Sequence, residues 1–234
     1  MPFMGIDVVV PAHNEEELLG ACLDALEVCL ASAPLPATLT VVLDDCADRT
    51  EELARGRARL VHVDGRNVGA ARAAGFADAL GRTSAPDRRW LATTDADSRV
   101  PPTWLADQLH LARAGADVVA GLVEVDDWSA WDPATRAEYL SGYSSTAGHR
   151  HVHGANLALS SRAYRTVGGF AAVARDEDVH LVRSAEAAGL VVAWSGSTPV
   201  ATSGRRLART PDGFAGHLAR TERAALGTDR AGVS

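Results

Sequence analysis

Two acids separated by one residue, Asp95 and Asp97, follow a short apolar run at residues 90–93. Alternate side chains of an extended segment lie on one face, so both carboxylates can reach the same ligand. Oxygen ligands suit Mg²⁺ or Mn²⁺, which also bind the phosphate oxygens of a substrate. The pair therefore predicts a divalent-cation site. A solvated turn or a helix N-cap is the alternative.

A second acidic pair, Glu177 and Asp178, stands at the start of a predicted helix. A carboxylate held near an acceptor hydroxyl can remove its proton and act as a general base. Acids at this position also stabilise the helix dipole without any catalytic role. On these two residues alone, the dipole explanation is the stronger one.

Four short apolar runs in the first hundred residues alternate with helical patterns, which is typical of βαβ units and a parallel sheet. The runs are residues 6–10, 38–43, 60–63 and 90–93. Helix starts are predicted where a capping side chain precedes a Glu by three residues, at Asn14 and Asp48. A third helix is predicted at residues 68–80.

Polar residues follow each of the four runs, and ligands of parallel α/β sheets bind beyond the carboxyl ends of the strands. In chain order these residues are Pro11, Ala12, His13, Asn14 and Glu15, then Asp44 and Asp45, then Arg66 and Asn67, then Asp95, Ala96 and Asp97. We expect them to converge on one edge of the sheet.

The pattern after Asp97 is less regular. Helices are predicted at residues 101–110 and 176–188, strands at 117–125, 155–160 and 190–194, and a long loop with a helical piece at 126–152. A chain of 234 residues is expected to form a single α/β domain, here with a partly mobile tail at residues 211–234.

Charge and cysteine content narrow the range of partners and compartments. A net charge of -7 and a pI near 5.6 argue against nucleic acid, whose binding needs a concentrated basic surface. The three cysteines show no zinc-binding spacing, which fits a reducing compartment. The N-terminus lacks a basic signal region, and the longest uncharged window, residues 28–43, is too short to span a bilayer. We expect a cytoplasmic protein without a transmembrane segment; peripheral membrane contact stays open.

Six motifs follow one another as they do in a known family. They are VVVPAHNEEELL, TVVLDDCADRT, RNVGAARAAG, TTDADS, HGANLALSSRAYRTVGGF and RDEDVHL. Over residues 5–205 the sequence resembles the family 2 glycosyltransferases of the GT-A fold. The resemblance implies a Rossmann-like, mainly parallel sheet with helices on both faces and an irregular second half. Residues 1–100 would form the nucleotide-sugar-binding half and residues 101–210 the acceptor-side half.

The resemblance also implies a reaction. The enzyme would move a sugar from a nucleotide-diphosphate sugar, expected to be a UDP-sugar, to an acceptor hydroxyl, with inversion and with Mg²⁺ or Mn²⁺. Asp97 would bind the metal directly, and Asp95 would contact the ribose or a metal-bound water. Asp44 or Asp45 would accept a hydrogen bond from the base. Asp178 would be the general base, with Glu177 as the second choice.

Further donor-side roles are implied for residues along the whole chain. Residues 11–15, Asn67 and Ala96 would contact the nucleotide sugar. Arg72 would lie near the acidic cluster, with an ordinary exposed helical arginine as the alternative. Arg205 and Arg206 would stabilise the charge of the leaving diphosphate. In many relatives a histidine completes the metal site near residues 200–204, which here read VATSG.

On the acceptor side, small residues of the GAN segment would admit a substrate, and its Asn could bond a hydroxyl. The acceptor candidates are Gly154, Ala155, Asn156, Trp128 and His153. Loop aromatics can stack on a sugar or lipid, or instead pack the loop on the core; these are Trp128, Trp131, Tyr139 and Tyr143. His151 and His153 form an H-x-H pair without an obvious third ligand, which favours an acceptor-site or structural role over a metal site.

Two other functions are alternatives to glycosyl transfer. A sugar-phosphate nucleotidyltransferase usually carries a Gly-rich loop with a basic residue after its first strand, and the segment at residues 11–15 has neither feature. A nucleotide-binding protein that is a degenerate transferase is disfavoured by the intact D-x-D and Glu-Asp segments.

Overall fold

The computed structural model describes residues 2–143, 146, 148–173, 175–206 and 213–227. The strands of this part of the chain are β1 (Gly5–Ala12), β2 (Ala37–Asp44), β3 (Arg59–Val63), β4 (Arg89–Thr93), β5 (Ser98–Arg99), β6 (Val118–Val125), β7 (Leu157–Ser160) and β8 (Val192–Thr202). Its α-helices are α1 (Leu19–Ala31), α2 (Thr50–Ala54), α3 (Val68–Gly81), α4 (Trp104–Arg113), α5 (Pro133–Gly142), α6 (Ser161–Thr166), α7 (Glu177–Ala187) and α8 (Phe214–Ala225).

The strands form one sheet in the order β3-β2-β1-β4-β7-β6-β8-β5. Strands β3, β2, β1 and β4 are parallel to one another, with Val8 of β1 opposite Leu39 of β2 and Ala92 of β4. Strand β7 runs antiparallel to both β4 and β6, whereas β6 and β8 are parallel. The short β5 pairs antiparallel with β8. The mainly parallel sheet is therefore confirmed.

Helices cover both faces of the sheet, which explains the continuous apolar runs of the parallel strands. On one face Leu23 of α1 and Trp104 of α4 pack with Val8 and its neighbours. On the other face Phe76 of α3 and Leu181 of α7 pack with Val9. Because successive side chains of a strand point to opposite faces, Val8 and Val9 belong to different halves of the core.

The helix starts differ from the sequence prediction. Helix α1 begins at Leu19, and the predicted cap Asn14 instead has a left-handed backbone (φ 52) and accepts a hydrogen bond from Ala47 N. Its side chain therefore joins two loops. The Asp48 carboxylate does accept from Thr50 N, the first residue of α2, at 3.0 Å. The predicted helix at 68–80 is present as α3, capped by the Asn67 side chain.

The second half contains elements that the sequence pattern did not reveal. The loop at 126–152 does contain the predicted helical piece, which is α5 with Asp132 as its cap, whereas α6 and β5 had no apolar run to mark them. Strand β8 extends beyond the predicted 190–194 to Thr202, through half-buried polar residues. Helix α8 lies in the expected mobile tail and packs against α5, with Leu218 fully buried. The rest of that tail, residues 211–212 and 228–234, lies outside the described residues.

Among the helices of the described residues, none is both long and apolar enough to cross a membrane.

Substitution of Gly75 tests how closely α3 packs on the sheet. A Cβ at Gly75 would lie 2.5 Å from Val9 Cγ1 and 2.8 Å from Val42 Cγ2. We expect Gly75→Ala to lower the free energy of unfolding by about 1–3 kcal/mol because the strands must move apart. Gly81→Ala, on the same helix with no atom within 4 Å of its Cβ, is the control and should not be destabilised. Urea denaturation measures both, and equal stability of the two variants would contradict the close contact.

Candidate active site

A cavity of about 1150 Å³ opens beyond the carboxyl ends of β1, β2 and β4. Both halves of the chain line it. The predicted site residues in its wall are Pro11, Ala12, His13, Glu15, Asp44, Asn67, Arg72, Asp95, Ala96, Asp97, His153, Gly154, Ala155, Glu177, Asp178 and Arg205. The predicted residues absent from its wall are Asn14, Asp45, Trp128, Asn156 and Arg206.

Arg72 joins the two sides of the cavity. It lies on α3 and is 2% exposed, so the alternative of an ordinary exposed helical arginine is wrong. Its Nη2 donates to Asp95 Oδ1 at 2.6 Å, and its Nη1 donates to Glu177 Oε1. Its Nε donates to Thr93 Oγ1 at 3.3 Å. A guanidinium that satisfies two acids in this way can stay buried and charged.

Two glycines make room for this arrangement. A Cβ at Gly154 would come within 2.3 Å of Arg72 Nη2, and a Cβ at Gly69 would come within 2.3 Å of Ala171 O. The loop before β7 can therefore approach Arg72, and α3 can approach the segment that leads into α7, only because these positions lack a side chain.

The acids Glu177 and Asp178 have different surroundings although they are neighbours in sequence. The Glu177 carboxylate is buried against Arg72. The Asp178 carboxylate accepts from Gly154 N at 2.6 Å and from Val179 N at 2.7 Å. Since Glu177 is held in an ion pair, Asp178 is the better placed of the two to accept a proton from a ligand in the cavity.

The environment of Asp178 also favours a base that works near neutral pH. Burial raises the pKa of Asp178 to about 6, the adjacent Glu177 raises it further, and Arg72 opposes the shift. A general base is most effective when its pKa lies close to the working pH.

Asp97 faces a cation from the far end of the chain. Arg205 donates to both Glu15 oxygens, at 2.6 and 2.7 Å, and its Nη2 lies 3.0 Å from Asp97 Oδ2. Burial raises the pKa of Asp97 to about 7, helped by Asp95 and opposed by Arg205. The D-x-D segment is therefore flanked by one arginine on each side, with Arg72 at Asp95 and Arg205 at Asp97.

The residues around the D-x-D segment fit a divalent cation that is partly bound by its substrate. Within the described ranges, no group of three or more His, Cys, Asp or Glu side chains could hold a metal ion. Mg²⁺ is commonly held by one or two carboxylates together with substrate phosphates and water. Asp95 and Asp97 are carboxylates of this kind at the cavity wall, so they could hold a cation that arrives with a diphosphate.

At the other end of the cavity, the side chains of Asp44 and Asp45 have different surroundings. The Asp44 carboxylate accepts from Arg66 N at 2.8 Å and Asn67 N at 2.7 Å. Asp45 has a left-handed backbone (φ 51), is exposed, and pairs with the Arg66 side chain. The ring of His13 donates from Nδ1 to the Asp44 carbonyl oxygen at 2.6 Å. Only Asp44 of the acidic pair lines the cavity.

Arg206 points away from the donor side, contrary to its predicted role at the diphosphate. Its Nη1 donates to Glu222 of α8 at 3.0 Å, and its Nε donates to the Ala130 carbonyl oxygen. The guanidinium lies 4.5 Å from the ring centre of Trp131. The two neighbouring arginines therefore have different partners, with Arg205 at Asp97 and Arg206 at α8.

Asn156 has a structural role and not the predicted contact with an acceptor. Gly121 of β6 pairs with Ser195 of β8, but Val123 pairs with Val200, so the regular pairing of the two strands is interrupted between Gly121 and Val123. The Asn156 Nδ2 donates to the carbonyl oxygens freed there, at 2.8 Å to residue 122 and 2.9 Å to residue 198. Its Oδ1 accepts from Trp104 Nε1 at 2.8 Å. The amide is thus fully used inside the sheet.

The aromatic residues of the 126–152 loop mainly pack the loop on α8. Trp131 and Tyr139 are buried together with Leu218, and Trp128 packs against Tyr139 at 5.4 Å between ring centres. Tyr143 stacks on both Tyr139 and His151, at 5.1 and 4.3 Å. The packing alternative therefore explains Trp128, and the cavity is met by Tyr139 and Tyr143 instead.

The histidines of the H-x-H pair are built into hydrogen bonds and ring stacks. The Tyr143 hydroxyl accepts from Val123 N at 3.0 Å and is hydrogen-bonded to His153 Nε2 at 2.9 Å. Burial lowers the pKa of His153 to about 3, so its ring is neutral. The rings of His151 and His153 are stacked 6.2 Å apart. This arrangement supports the structural interpretation over a metal site.

One wall of the cavity was not predicted from the sequence. Phe214, His217 and Arg220 of α8 line the cavity, beyond residue 205, where the motifs end. The apolar residues Phe214 and Leu218, four apart, were the available signal for a helix with one buried face.

Comparison with known proteins bears on the fold and the family. The model of the family described as glycosyl transferase family 2 matches residues 7–168. No curated protein matches the sequence.

Solved structures share the fold at low sequence identity. S. aureus TarS 1-349 in complex with UDP-GlcNAc has a TM-score of 0.64 and 13% identity, covering 95% of this chain and 66% of that one. Mannosyltransferase PcManGT from Pyrobaculum calidifontis, in complex with GDP-Man and Mn²⁺, has a TM-score of 0.62 and 19% identity, covering 98% and 76%.

A third structure is glucosyl-3-phosphoglycerate synthase from Mycobacterium tuberculosis in complex with Mn²⁺, UDP and glucosyl-3-phosphoglycerate, with a TM-score of 0.57, 20% identity and coverage of 99% and 81%. This chain spans 44% of a longer TarS chain. The likeness confirms the expected GT-A fold.

Replacement of Arg72 tests the connection across the cavity. We expect Arg72→Met to lower the free energy of unfolding by about 3–5 kcal/mol, because Glu177 would stay buried without its partner. Arg59→Met breaks the exposed pair with Asp78 and serves as the control, with an expected loss of about 1 kcal/mol or less. Chemical denaturation compares the two. A loss for Arg72→Met no larger than the control would show that the buried pair is not formed.

Proposed function

The chain belongs to glycosyl transferase family 2, and on that premise we propose that it transfers a sugar from a nucleoside-diphosphate donor to an acceptor hydroxyl, with a divalent cation. The observation that carries the proposal is the cavity itself, because the acids of the D-x-D segment and Asp178 line the same cavity. A volume of about 1150 Å³ exceeds the usual range for one small ligand, which leaves room for donor and acceptor together.

The donor would lie along the carboxyl ends of β1, β2 and β4. Asp44 is the candidate for the contact with the nucleobase, because Asp44 lines the cavity and Asp45 does not. The nucleotide is proposed to be UDP, with GDP as the alternative to be tested, since similar structures contain UDP-GlcNAc and GDP-Man. Carboxylates accept from a base N–H, which both uracil and guanine offer.

The diphosphate would lie between Arg205 and the D-x-D segment. A divalent cation held by Asp97 and Asp95 would neutralise charge on the leaving nucleoside diphosphate. The Arg205 guanidinium faces the same position and would bind diphosphate oxygens through its planar fork of N–H groups. Arg72 would keep Asp95 in place, because it donates to that carboxylate from a buried position.

The acceptor would approach Asp178 from the side formed by α5, α8 and the loop before β7. Asp178 would take the proton of the acceptor hydroxyl as the oxygen attacks the anomeric carbon. The Gly154 amide holds the carboxylate toward the cavity. A base on the acceptor side and a leaving group on the donor side fit direct displacement, so we propose inversion of the anomeric centre. The cysteine pattern supports a reducing compartment, and we place the reaction in the cytoplasm.

A thermal-shift screen of UDP and GDP, with and without Mn²⁺, tests the proposal, because a ligand that binds the native state raises apparent stability. A shift with one nucleotide that depends on Mn²⁺ is expected. Hydrolysis of the matching nucleotide sugar then separates a transferase from a protein that only binds nucleotides. No shift with either nucleotide in Mn²⁺ would refute the proposed donor site.

Asp97→Ala tests the D-x-D assignment. The variant is expected to lose Mn²⁺-dependent binding of the nucleoside diphosphate while it remains folded, because the side chain lies on a loop beyond β4. Calorimetry measures binding, and circular dichroism checks the fold. Asp87→Ala, an exposed acid outside the cavity wall, is the control and should bind as the parent does. Unchanged affinity in Asp97→Ala would show that another residue carries the metal.

Asp178→Asn tests the general base. We expect donor binding to persist and turnover to fall by about two to four orders of magnitude, because the amide keeps the shape and removes the basicity. A base works only when deprotonated, so turnover of the parent should be lost as the pH falls through about 6, the pKa of Asp178. The residual rate of Asp178→Asn should lack that pH dependence.

The measurement needs an acceptor, found first by screening small alcohols, sugars and phosphorylated acids with the active donor. Glu177→Gln is the comparison. Full activity in Asp178→Asn together with loss in Glu177→Gln would move the catalytic role to Glu177.

A further inference from the structure

Arg205 is shared between two acids at the point where the D-x-D segment meets the end of β8. It donates to Glu15 Oε2 from Nη1 at 2.6 Å and to Glu15 Oε1 from Nη2 at 2.7 Å. The same Nη2 lies 3.0 Å from Asp97 Oδ2. A guanidinium keeps its positive charge at every physiological pH. Arg205 therefore places a permanent cation against the carboxylate that is proposed to bind the divalent ion.

The backbone of Arg205 is fixed in place. The carbonyl oxygen of Gly204 accepts a hydrogen bond from Trp131 Nε1. A Cβ at Gly204 would come within 1.9 Å of Asp127 O, so the chain passes this loop in direct contact. The amide of Arg205 donates to Ser203 Oγ at 3.2 Å. The side chain thus starts from a well-defined point.

The guanidinium is fixed mainly by Glu15. This carboxylate is buried, and the amide of Glu15 donates to Thr50 Oγ1 at 2.7 Å. A bidentate ion pair between a buried carboxylate and a guanidinium is costly to break. The bidentate contact with Glu15 is therefore expected to persist, whereas the single contact with Asp97 can be exchanged.

Like charges make this exchange necessary. A metal ion lies about 2.1 Å from a carboxylate oxygen that binds it. A guanidinium 3.0 Å from the same carboxylate would then stand beside that ion, and the two cations would repel each other. Phosphate oxygens between them remove the repulsion, since they bind both guanidinium groups and divalent ions.

We propose that Arg205 is an exchangeable partner of Asp97: it holds this carboxylate in the absence of donor and turns to the diphosphate oxygens, with Glu15 retained, when donor binds. The inference rests on the proposed function, because it needs a diphosphate ligand. Its consequence is that Mn²⁺ and nucleoside diphosphate bind cooperatively, each strengthening the binding of the other. Arg205 is thereby a positioning residue that restricts cation binding to the donor-bound state.

The experiment measures binding of Mn²⁺ alone to the full chain by electron paramagnetic resonance of free Mn²⁺, without and with UDP, and likewise with GDP. The ratio of the two Mn²⁺ dissociation constants is the coupling factor. Two variants are compared with the parent. Arg205→Gln removes the guanidinium, and Glu15→Gln/Arg205→Gln removes both charges of the pair and so leaves the net charge unchanged.

Arg205→Gln is expected to bind Mn²⁺ alone about tenfold more tightly than the parent and to lose about tenfold or more of the coupling factor, because the competing cation is gone. The double variant should also bind Mn²⁺ alone more tightly, which a general charge effect would not produce. Arg206→Gln is the matched control. Its guanidinium faces Glu222 and Ala130, so it should leave both quantities as in the parent.

The outcomes separate this inference from the proposed function. If the parent binds UDP or GDP with Mn²⁺, but Arg205→Gln changes neither Mn²⁺ affinity nor coupling, the exchange is refuted and the donor site stands. If neither nucleotide binds the parent in Mn²⁺, both proposals fail. If Arg205→Gln does not fold because Glu15 loses its bidentate partner, the double variant, in which residue 15 is uncharged, decides the question.

Discussion

The buried guanidinium of Arg72 is the interaction on which the arrangement of the cavity depends. Asp95 follows β4 in the first half of the chain, and Glu177 begins α7 in the second half; Arg72 binds both. Burying such a triad costs desolvation free energy, so it is a poor source of stability compared with apolar packing. What it supplies is position, because each acid must lie where the arginine fork can reach it. The spacing between the proposed cation-binding acids and the start of α7 follows from this one side chain.

The same interaction assigns different chemistry to two adjacent acids. Glu177 is paired with Arg72, and a movement of Glu177 would take this partner away from the buried guanidinium. Asp178 is left at the cavity wall, held by the Gly154 amide, and its pKa is raised by burial and by Glu177. Different environments for neighbouring carboxylates are a common way to divide roles in an active site. Here the two acids differ because Arg72 pairs with Glu177 and leaves Asp178 at the cavity wall.

The segment at residues 203–206 connects the D-x-D segment with α8. Arg205 turns to Glu15 and Asp97, and Arg206 turns to Glu222 on α8, a helix that forms part of the cavity wall. Trp131 holds the backbone between them. A change in the contacts of Arg205 when donor binds would therefore act on a chain that is also attached to α8. This provides a short physical path between the two parts of the cavity.

The sequence by itself determined the sheet of the first half and the location of the site. Continuous apolar runs mark β1 to β4 because both faces of these strands are covered, and acids after a buried strand lie at its carboxyl end in any parallel sheet. Family motifs extended this to the second half, although α8 follows the last motif. Which polar groups form hydrogen bonds within the protein follows only from the tertiary structure. Asn156 stands in a motif typical of an acceptor loop, yet its amide completes the interrupted pairing of β6 and β8. Arg205 and Arg206 are identical in type, and only the course of the backbone directs one to the donor side and the other to α8. Local sequence carries no information about partners that are distant along the chain, and hydrogen bonds to such partners decide the role of a polar side chain.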